Sequence, residues 1–482
     1  MGNWGNQAAA FLVFVVLSRL LPPDAFGLVA LASVFVGLIQ VVANQGLVDA
    51  LVQRKDLDAE HLDTAFWMSM AFALVLTGFA VAAALPIAAA FHEERLGPVL
   101  IGLALSIPIS GLTLVQRALL ARAFAFRSLT LRTLTAIVVG SVVGVGAAAA
   151  GFGVWSLVAQ NLANQVAGAI VLWRVEAWRP RLRFSHSHFR DLFGYGIHVV
   201  TFRLLNYFNR RADDLLIGAF LGATALGFYS VAYRMLVLLI EATSNLIDAV
   251  AFPVFSRLQE DAARLRRVYY KSSEFAALIA FPGFLAILVL APQLVEVVFG
   301  EKWSRSVPVM QVLTLFGIVQ ALIYLNSTMV KALGKPSWRV IIVGITAVFN
   351  VAAFFVAVRH GIVAVAVALV AVGYVLAPLS FWAVNRLLPI SMRTYANRIA
   401  RPLAASLVMT GVMFALRRAL HDREPAVVLL AAGAAGGATY VGTLYLFARS
   451  LVDEAVELGR RAIPRQVRRR ALPPPVTSGD GA

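Results

Sequence analysis

Long apolar runs bounded by proline, glycine or charge recur along the chain and predict helices near 6–21, 25–48, 64–91, 97–121, 133–151, 153–173, 194–220 and 226–251. The pattern continues near 273–299, 307–330, 338–358, 361–385, 402–416 and 426–448. A helix needs ~20 largely apolar residues to cross a bilayer, so fourteen such helices take ~280 residues and leave about 200 for loops and ends. Two runs depart from the norm: 402–416 is short, and 194–220 is full of polar side chains. The expected fold is all-α, a polytopic membrane protein of about 14 transmembrane helices.

Composition agrees with this reading. The 482 residues are 60% hydrophobic and 14% charged, whereas soluble globular chains carry roughly 25% charged residues. No cysteine is present, which excludes disulfides, thiolate metal sites and thiol catalysis. Lys+Arg exceeds Asp+Glu by 42 − 25 = 17. In a soluble chain that surplus suggests nucleic acid; in a membrane chain it is read first as contact with anionic lipid and as an orienting signal.

The basic residues alternate in side. With a cytoplasmic N-terminus, about 30 of the 42 fall on one face: Arg54/Lys55, the loop from Arg117 to Arg132, Arg174 to Arg190, Arg257 to Lys271, Lys331 to Arg339, Arg386 to Arg401, and the tail from Arg449. About 8 fall on the other, a bias that fixes topology with both termini expected to be cytoplasmic. The loops of the opposite face, 22–24, 92–96, 222–225 and 300–306, are too short to hold a catalytic domain, and no enzymatic activity is expected. The first apolar run has no basic segment before it and is followed at once by a second, so no cleaved signal is expected. The tail reads as a short surface helix leading into disorder, with Arg468, Arg469 and Arg470 as a lipid anchor.

An internal repeat organises the spans. Residues 21–32 (LPPDAFGLVALA) align without gaps to 221–232 (LGATALGFYSVA), with Leu21/Leu221, Ala25/Ala225, Gly27/Gly227 and Ala32/Ala232 identical. Residues 47–50 (LVDA) echo 246–249 (LIDA), and 153–158 faintly echoes 361–366. The offset near 200 separates spans 1–6 from spans 7–12, an even number, so the halves are parallel repeats about an axis along the membrane normal, as in transporters. The expected organisation is an N-lobe over 1–173, a basic cytoplasmic interlobe loop over 174–193 and a C-lobe over 194–385. Two further spans follow over 386–448, then a tail over 449–482.

The motifs 18–27 (SRLLPPDAFG), 46–53 (GLVDALVQ), 124–128 (FAFRS), 153–158 (GVWSLV), 213–218 (DDLLIG), 226–232 (LGFYSVA), 252–257 (FPVFSR), 299–303 (FGEKW) and 333–336 (LGKP) give the chain a family likeness. It resembles the Wzx-type polysaccharide flippases of the multidrug/oligosaccharidyl-lipid/polysaccharide exporter superfamily, in particular the colanic-acid-like lipopolysaccharide biosynthesis branch. The resemblance covers spans 1 to about 12 in order. It implies transfer of a polyprenyl-pyrophosphate-linked oligosaccharide from the cytoplasmic to the outer leaflet by alternating access of two six-helix lobes. The same superfamily offers two alternatives, a peptidoglycan-precursor (lipid II) flippase and a multidrug exporter. A membrane glycan polymerase or ligase is the reading from another class, and the short outer loops lack the paired carboxylates it needs. Partners under the leading reading are the lipid-linked oligosaccharide, anionic lipid, a coupling proton or cation, and a polysaccharide polymerase or assembly complex.

Ionisable groups inside spans are costly and by default face a wet interior. Arg203, Asn206, Arg210 and Asp213 are spaced three, four and three along span 7 and share one helical face, with Arg211 and Asp214 an adjacent i,i+3 pair. One reading is a cationic wall for pyrophosphate, made of Arg203, Arg210, Arg211 and Arg234, since guanidinium binds phosphate bidentately. The other is internal pairing of Arg210 and Arg211 with Asp213 and Asp214. On span 8, Arg234, Glu241, Asn245 and Asp248 again share a face; Asp213, Asp214 and Glu241 are coupling-ion candidates or members of structural salt bridges. Uncharged amides suited to sugar hydroxyls are Gln40, Asn44, Gln160, Asn164, Asn206 and Asn209, and such groups equally glue helices together. Gln165 is read as glue, Arg19 as an interfacial residue and Arg117 as the start of a cytoplasmic loop. His186 and His188 have no acidic or cysteine neighbours in sequence, so no metal site is expected. No P-loop, Rossmann glycine signature or nucleophile elbow occurs, and no cofactor is expected.

Overall fold

A computed structural model describes residues 2–43, 46–54 and 56–447. The described chain is helical, in the order α1 (Gly2–Leu20), α2 (Pro23–Ala43), α3 (Leu47–Gln53), α4 (Ala59–Ala90), α5 (Leu96–Ala104), α6 (Ser106–Leu112), α7 (Leu114–Arg122), α8 (Phe126–Ala149), α9 (Val154–Val175), α10 (His186–Arg257), α11 (Ala262–Val298), α12 (Ser306–Ala332), α13 (Pro336–Ala357), α14 (Ile362–Leu387), α15 (Met392–Ala419) and α16 (Pro425–Phe447). Ten of these helices contain stretches long and apolar enough to cross a membrane, and the bent pair α5–α6 with α7 makes an eleventh. Large side chains such as Val75, Phe79, Leu85, Val142, Val348, Val375 and Leu446 are exposed, as expected of helices that satisfy their own backbone and turn apolar flanks to lipid.

The departures from the sequence pattern have local causes. The run 25–48 is not one helix: α2 stops at Ala43, and α3 starts after Gly46 in the left-handed region (φ 65). The run 97–121 is broken, with a 46° bend between Leu112 and Leu114. The runs 194–220 and 226–251 are two arms of one 72-residue helix, α10, whose single non-helical residue is Gly222 (φ 82, ψ 176). A side chain is strained at that φ, and glycine is not. The short run 402–416 sits inside the 28-residue α15, whose flanks are polar. Asn44 and the tail from Arg449 lie outside the described residues, as do the side chains of Asp49, His198, Asn245 and Asp248.

The sequence repeat divides the helices into two lobes, α1 to α9 and α10 to α14; α2 packs on α10 across that division, and α15 and α16 pack on α11. The lobes meet closely at one end. A Cβ on Gly27 would run into the Ala223 carbonyl, and one on Gly227 into the Pro23 carbonyl. These are the same contact twice, since 27 + 200 = 227 and 23 + 200 = 223: the repeated glycines face each other across the pseudo-two-fold axis. The seal is completed by Trp303, fully buried, whose Nε1 donates to the Ser18 carbonyl at 2.9 Å and whose ring meets Phe26 edge-on at 5.4 Å. Lys302 Nζ donates to the carbonyls of Arg19 and Leu21 at 2.9 and 2.8 Å, and Arg19 to those of Val297 and Val298. Burial at this junction pushes the Lys302 ammonium below its usual range.

Candidate functional site

Between the lobes lies a cavity of about 1000 Å³. It runs away from the seal, from Leu17 and Ser230 beside it to Val41, Arg203 and Glu241 farther along the same helices. The N-lobe contributes α1, α2, α8 and α9, and the C-lobe contributes both arms of α10. All four arginines named from the sequence line it: Arg203, Arg210 and Arg211 from the first arm, Arg234 from the second. Asn206 joins them on the α10 face, while Gln160 and Asn164 stand on α9 together with Asn161 and Gln165. One lobe therefore presents guanidinium groups and the other presents amides to the same space.

The charge of the lining is fixed by count. Four guanidinium groups less the carboxylates of Asp214 and Glu241 leave +2. Arg210 and Arg234 are exposed and make no ion pair among the described residues. Arg234 lies over the Phe14 ring at 5.9 Å, a cation–π contact that steadies it across the lobe boundary. Arg211 is different: its Nη1 donates to Asp214 Oδ2 at 2.7 Å, and Asp214 is only 5% exposed. Arg211 is itself 44% exposed, so solvent screens the pair, but removing it strands the buried Asp214 carboxylate, whereas removing both charges is milder. Arg211→Ala is thus expected to lower the thermal midpoint of the purified protein, and Arg211→Gln with Asp214→Asn to recover it; equal midpoints for all three would remove the pair from the fold's energetics.

Three sequence candidates stand elsewhere. Asp213 is buried behind the cavity wall, accepting from Tyr229 Oη at 2.7 Å and from the Asp214 N–H at 3.0 Å. The Tyr229 bond clamps the two arms of α10 together, and the bond from Asp214 is local to the first arm. Gln40 donates to Ser106 Oγ at 3.0 Å, bridging α2 to α6, and Asn209 accepts from Asn350 Nδ2 at 3.1 Å, bridging α10 to α13. Neither amide is in the lining, which corrects their reading as glycan-facing. Gln165 both lines the cavity and donates to Ser110 Oγ at 3.5 Å. Glu241 Oε2 accepts from Gln7 Nε2 at 2.9 Å, a bond between α10 and α1 at the end of the cavity away from the seal.

Tyr207 and Tyr233 are lining residues that polarity counting missed. Tyr207 follows Arg203 by four positions, so helical spacing places it on the arginine face; its hydroxyl donates to the Val34 carbonyl at 2.7 Å and ties α10 to α2. His188, expected to have no acidic or cysteine companion, has a histidine beside it. It stacks on His61, 127 positions away in sequence, with ring centroids 3.6 Å apart.

A two-lobed helical bundle with a cationic and amide-lined cavity on its pseudo-symmetry axis has the architecture of a membrane transporter. A family model described as "Polysaccharide biosynthesis protein" matches residues 16–308, more than half of the chain, and the chain belongs to that family. Among similar proteins, the succinoglycan biosynthesis transport protein ExoT of Rhizobium meliloti is 26% identical over 96% of this chain and 95% of its own length. The lipopolysaccharide biosynthesis protein WzxC of Escherichia coli is 24% identical over 66% of each chain. In fold, the chain is similar to the lipid II flippase MurJ in an inward closed conformation, with a TM-score of 0.77 at 12% identity, covering 94% of this chain and 98% of that one. An inward-facing MATE family multidrug resistance transporter gives 0.64 at 18% identity, over 79% and 94%.

Proposed function

We propose that this protein is a flippase that carries a polyprenyl-pyrophosphate-linked oligosaccharide repeat unit from the cytoplasmic to the outer leaflet of the inner membrane, for surface polysaccharide synthesis. The observation that carries the reading is the interlobe cavity whose lining sums to +2 and pairs arginines with amides. A pyrophosphate diester carries two negative charges, and guanidinium groups bind such oxygens through charge-assisted, bidentate hydrogen bonds. Amide side chains offer both donors and acceptors to sugar hydroxyls. The polyprenyl tail stays in lipid beside the lobes. No bond is made or broken, and the chain acts by alternating access rather than as an enzyme.

The positive-inside bias puts both termini, and the end of the cavity bounded by Gln7 and Glu241, on the cytoplasmic side. The glycine seal then lies at the outer face, and the Gln7–Glu241 bond bridges the cavity at its cytoplasmic end. Of the three carboxylate candidates for a coupling ion, Glu241 is the exposed one; Asp213 and Asp214 are committed to Tyr229 and Arg211. A cationic cavity favours this substrate over the cationic drugs of a multidrug exporter.

Binding is the direct check. Purified protein in nanodiscs is expected to gain thermal stability with polyprenyl-pyrophosphate oligosaccharide, by about 2.7 kcal/mol at 100 times Kd, and much less with free oligosaccharide or a neutral polyprenol. Equal stabilisation by the neutral polyprenol contradicts the proposal.

A further inference from the structure

We infer that Asp58, His61 and His188 form a binding site for a divalent cation of the zinc class, which staples the start of α10 to the N-lobe. Asp58 caps α4: its Oδ1 accepts from the His61 backbone N–H at 2.8 Å and meets His61 Nδ1 at 2.7 Å. His61 is buried, 5% exposed, and its ring stacks on that of His188 with 27° between planes. His61 Nε2 and His188 Nδ1 are both buried without a hydrogen-bond partner. One ligand atom from each of the three residues lies within 4.8 Å of the other two.

This arrangement is costly as an ordinary packing contact. A buried imidazole nitrogen without a partner is uncommon, and two occur here on rings in contact. Two protonated imidazoles in a stack repel, and two neutral ones leave their lone pairs or N–H groups unsatisfied. A cation held by His61 Nε2 and His188 Nδ1, with Asp58 bound to the other nitrogen of His61, resolves both difficulties, and imidazole donors suit zinc and its borderline neighbours rather than magnesium or calcium. A carboxylate hydrogen-bonded to a ligating histidine also fixes its ring orientation.

The position gives the site a consequence. The connection between the lobes is already laced to α4: Trp67 Nε1 donates to the Arg181 carbonyl at 2.8 Å, the Arg181 N–H to Asp63 Oδ1 at 2.9 Å, and the Ser185 N–H to Thr64 Oγ1 at 3.1 Å. His188 lies in the first turn of α10, the helix whose face carries Arg203, Arg210 and Arg211. A metal there adds the one link of this lace that is strong and reversible. It makes the hinge between the lobes sensitive to a cation that the transported substrate does not contain.

The test uses the full-length protein, stripped with chelator and titrated with Co²⁺ and Zn²⁺. Expected are one Co²⁺ per chain with visible d–d absorption and its displacement by Zn²⁺. Binding is lost in His61→Gln and in His188→Gln, weakened about 10–100-fold in Asp58→Asn, and unchanged in His360→Gln. Gel filtration reports folding, and His188→Gln, at a partly exposed position, serves if His61→Gln does not fold. Zinc is also expected to slow tryptic cleavage after the exposed Arg183 in the wild type and not in His188→Gln. Absence of stoichiometric cobalt, or unchanged affinity in His188→Gln, overturns the site; unchanged cleavage of the zinc-bound wild type overturns the staple.

Discussion

Arg210→Gln combined with Arg234→Gln is expected to reduce glycan export roughly 10²–10⁴-fold, with the protein still inserted and monodisperse. The magnitude follows from two hydrogen bonds to a charged group at ~1.5–3 kcal/mol each, where 1.4 kcal/mol is tenfold. These two positions are chosen because both side chains are exposed in the cavity and neither holds an ion pair among the described residues. Arg234→Gln also gives up the contact with the Phe14 ring, so the loss reports on substrate where the thermal midpoint of the variant is unchanged. Glutamine keeps a polar side chain in the wall while removing the charge and the guanidinium donors. Arg211 is unsuited to this purpose, because its partner Asp214 is buried and its removal destabilises the lobe. Surface glycan staining in cells that depend on the variant gives the readout, with membrane insertion measured alongside. Undiminished export would exclude these arginines as the pyrophosphate site.

Gly27→Leu or Gly227→Leu is expected to abolish export for a different reason. At each position even a Cβ collides with a backbone carbonyl of the other lobe, so the side chain fits only if the seal opens. Overpacking of this kind costs ~1–3 kcal/mol or more, enough to shift a two-state equilibrium by up to ~150-fold toward the outward-open form. The wild-type chain has no cysteine, so Ser230→Cys, in the cavity wall next to the seal, is a clean reporter. An impermeant thiol reagent added outside is expected to label Ser230→Cys slowly in an otherwise native background and at least ~10-fold faster with either leucine. Equal labelling would mean that the glycine contact does not govern access.

Much of this was legible in one dimension. Helix order and the parallel repeat follow from apolar runs and the offset between Gly27 and Gly227. The arginine face of α10 was readable because its residues lie within eight positions of one another, where helical geometry alone decides orientation. The amide stripe on α9 was readable for the same reason. What escaped depends on partners distant in sequence. Nothing near Asp213 announces that Tyr229 will return across the Gly222 kink to take its carboxylate. Gln40 finds Ser106, Asn209 finds Asn350, and His188 finds His61 only once the helices pack. Spacing could not separate polar groups that serve the cavity from those that serve the fold, because both lie on inward faces.

The central claim is movement of a pyrophosphate-linked glycan through the cavity between the lobes. It is tested most directly by reconstituting the purified protein in liposomes carrying polyprenyl-pyrophosphate oligosaccharide and following its exposure to a membrane-impermeant glycan probe. The account predicts protein-dependent transfer that saturates with substrate and is lost in the Arg210→Gln, Arg234→Gln double variant. Transfer equal to that of protein-free liposomes, or equal in the double variant and the wild type, would contradict it.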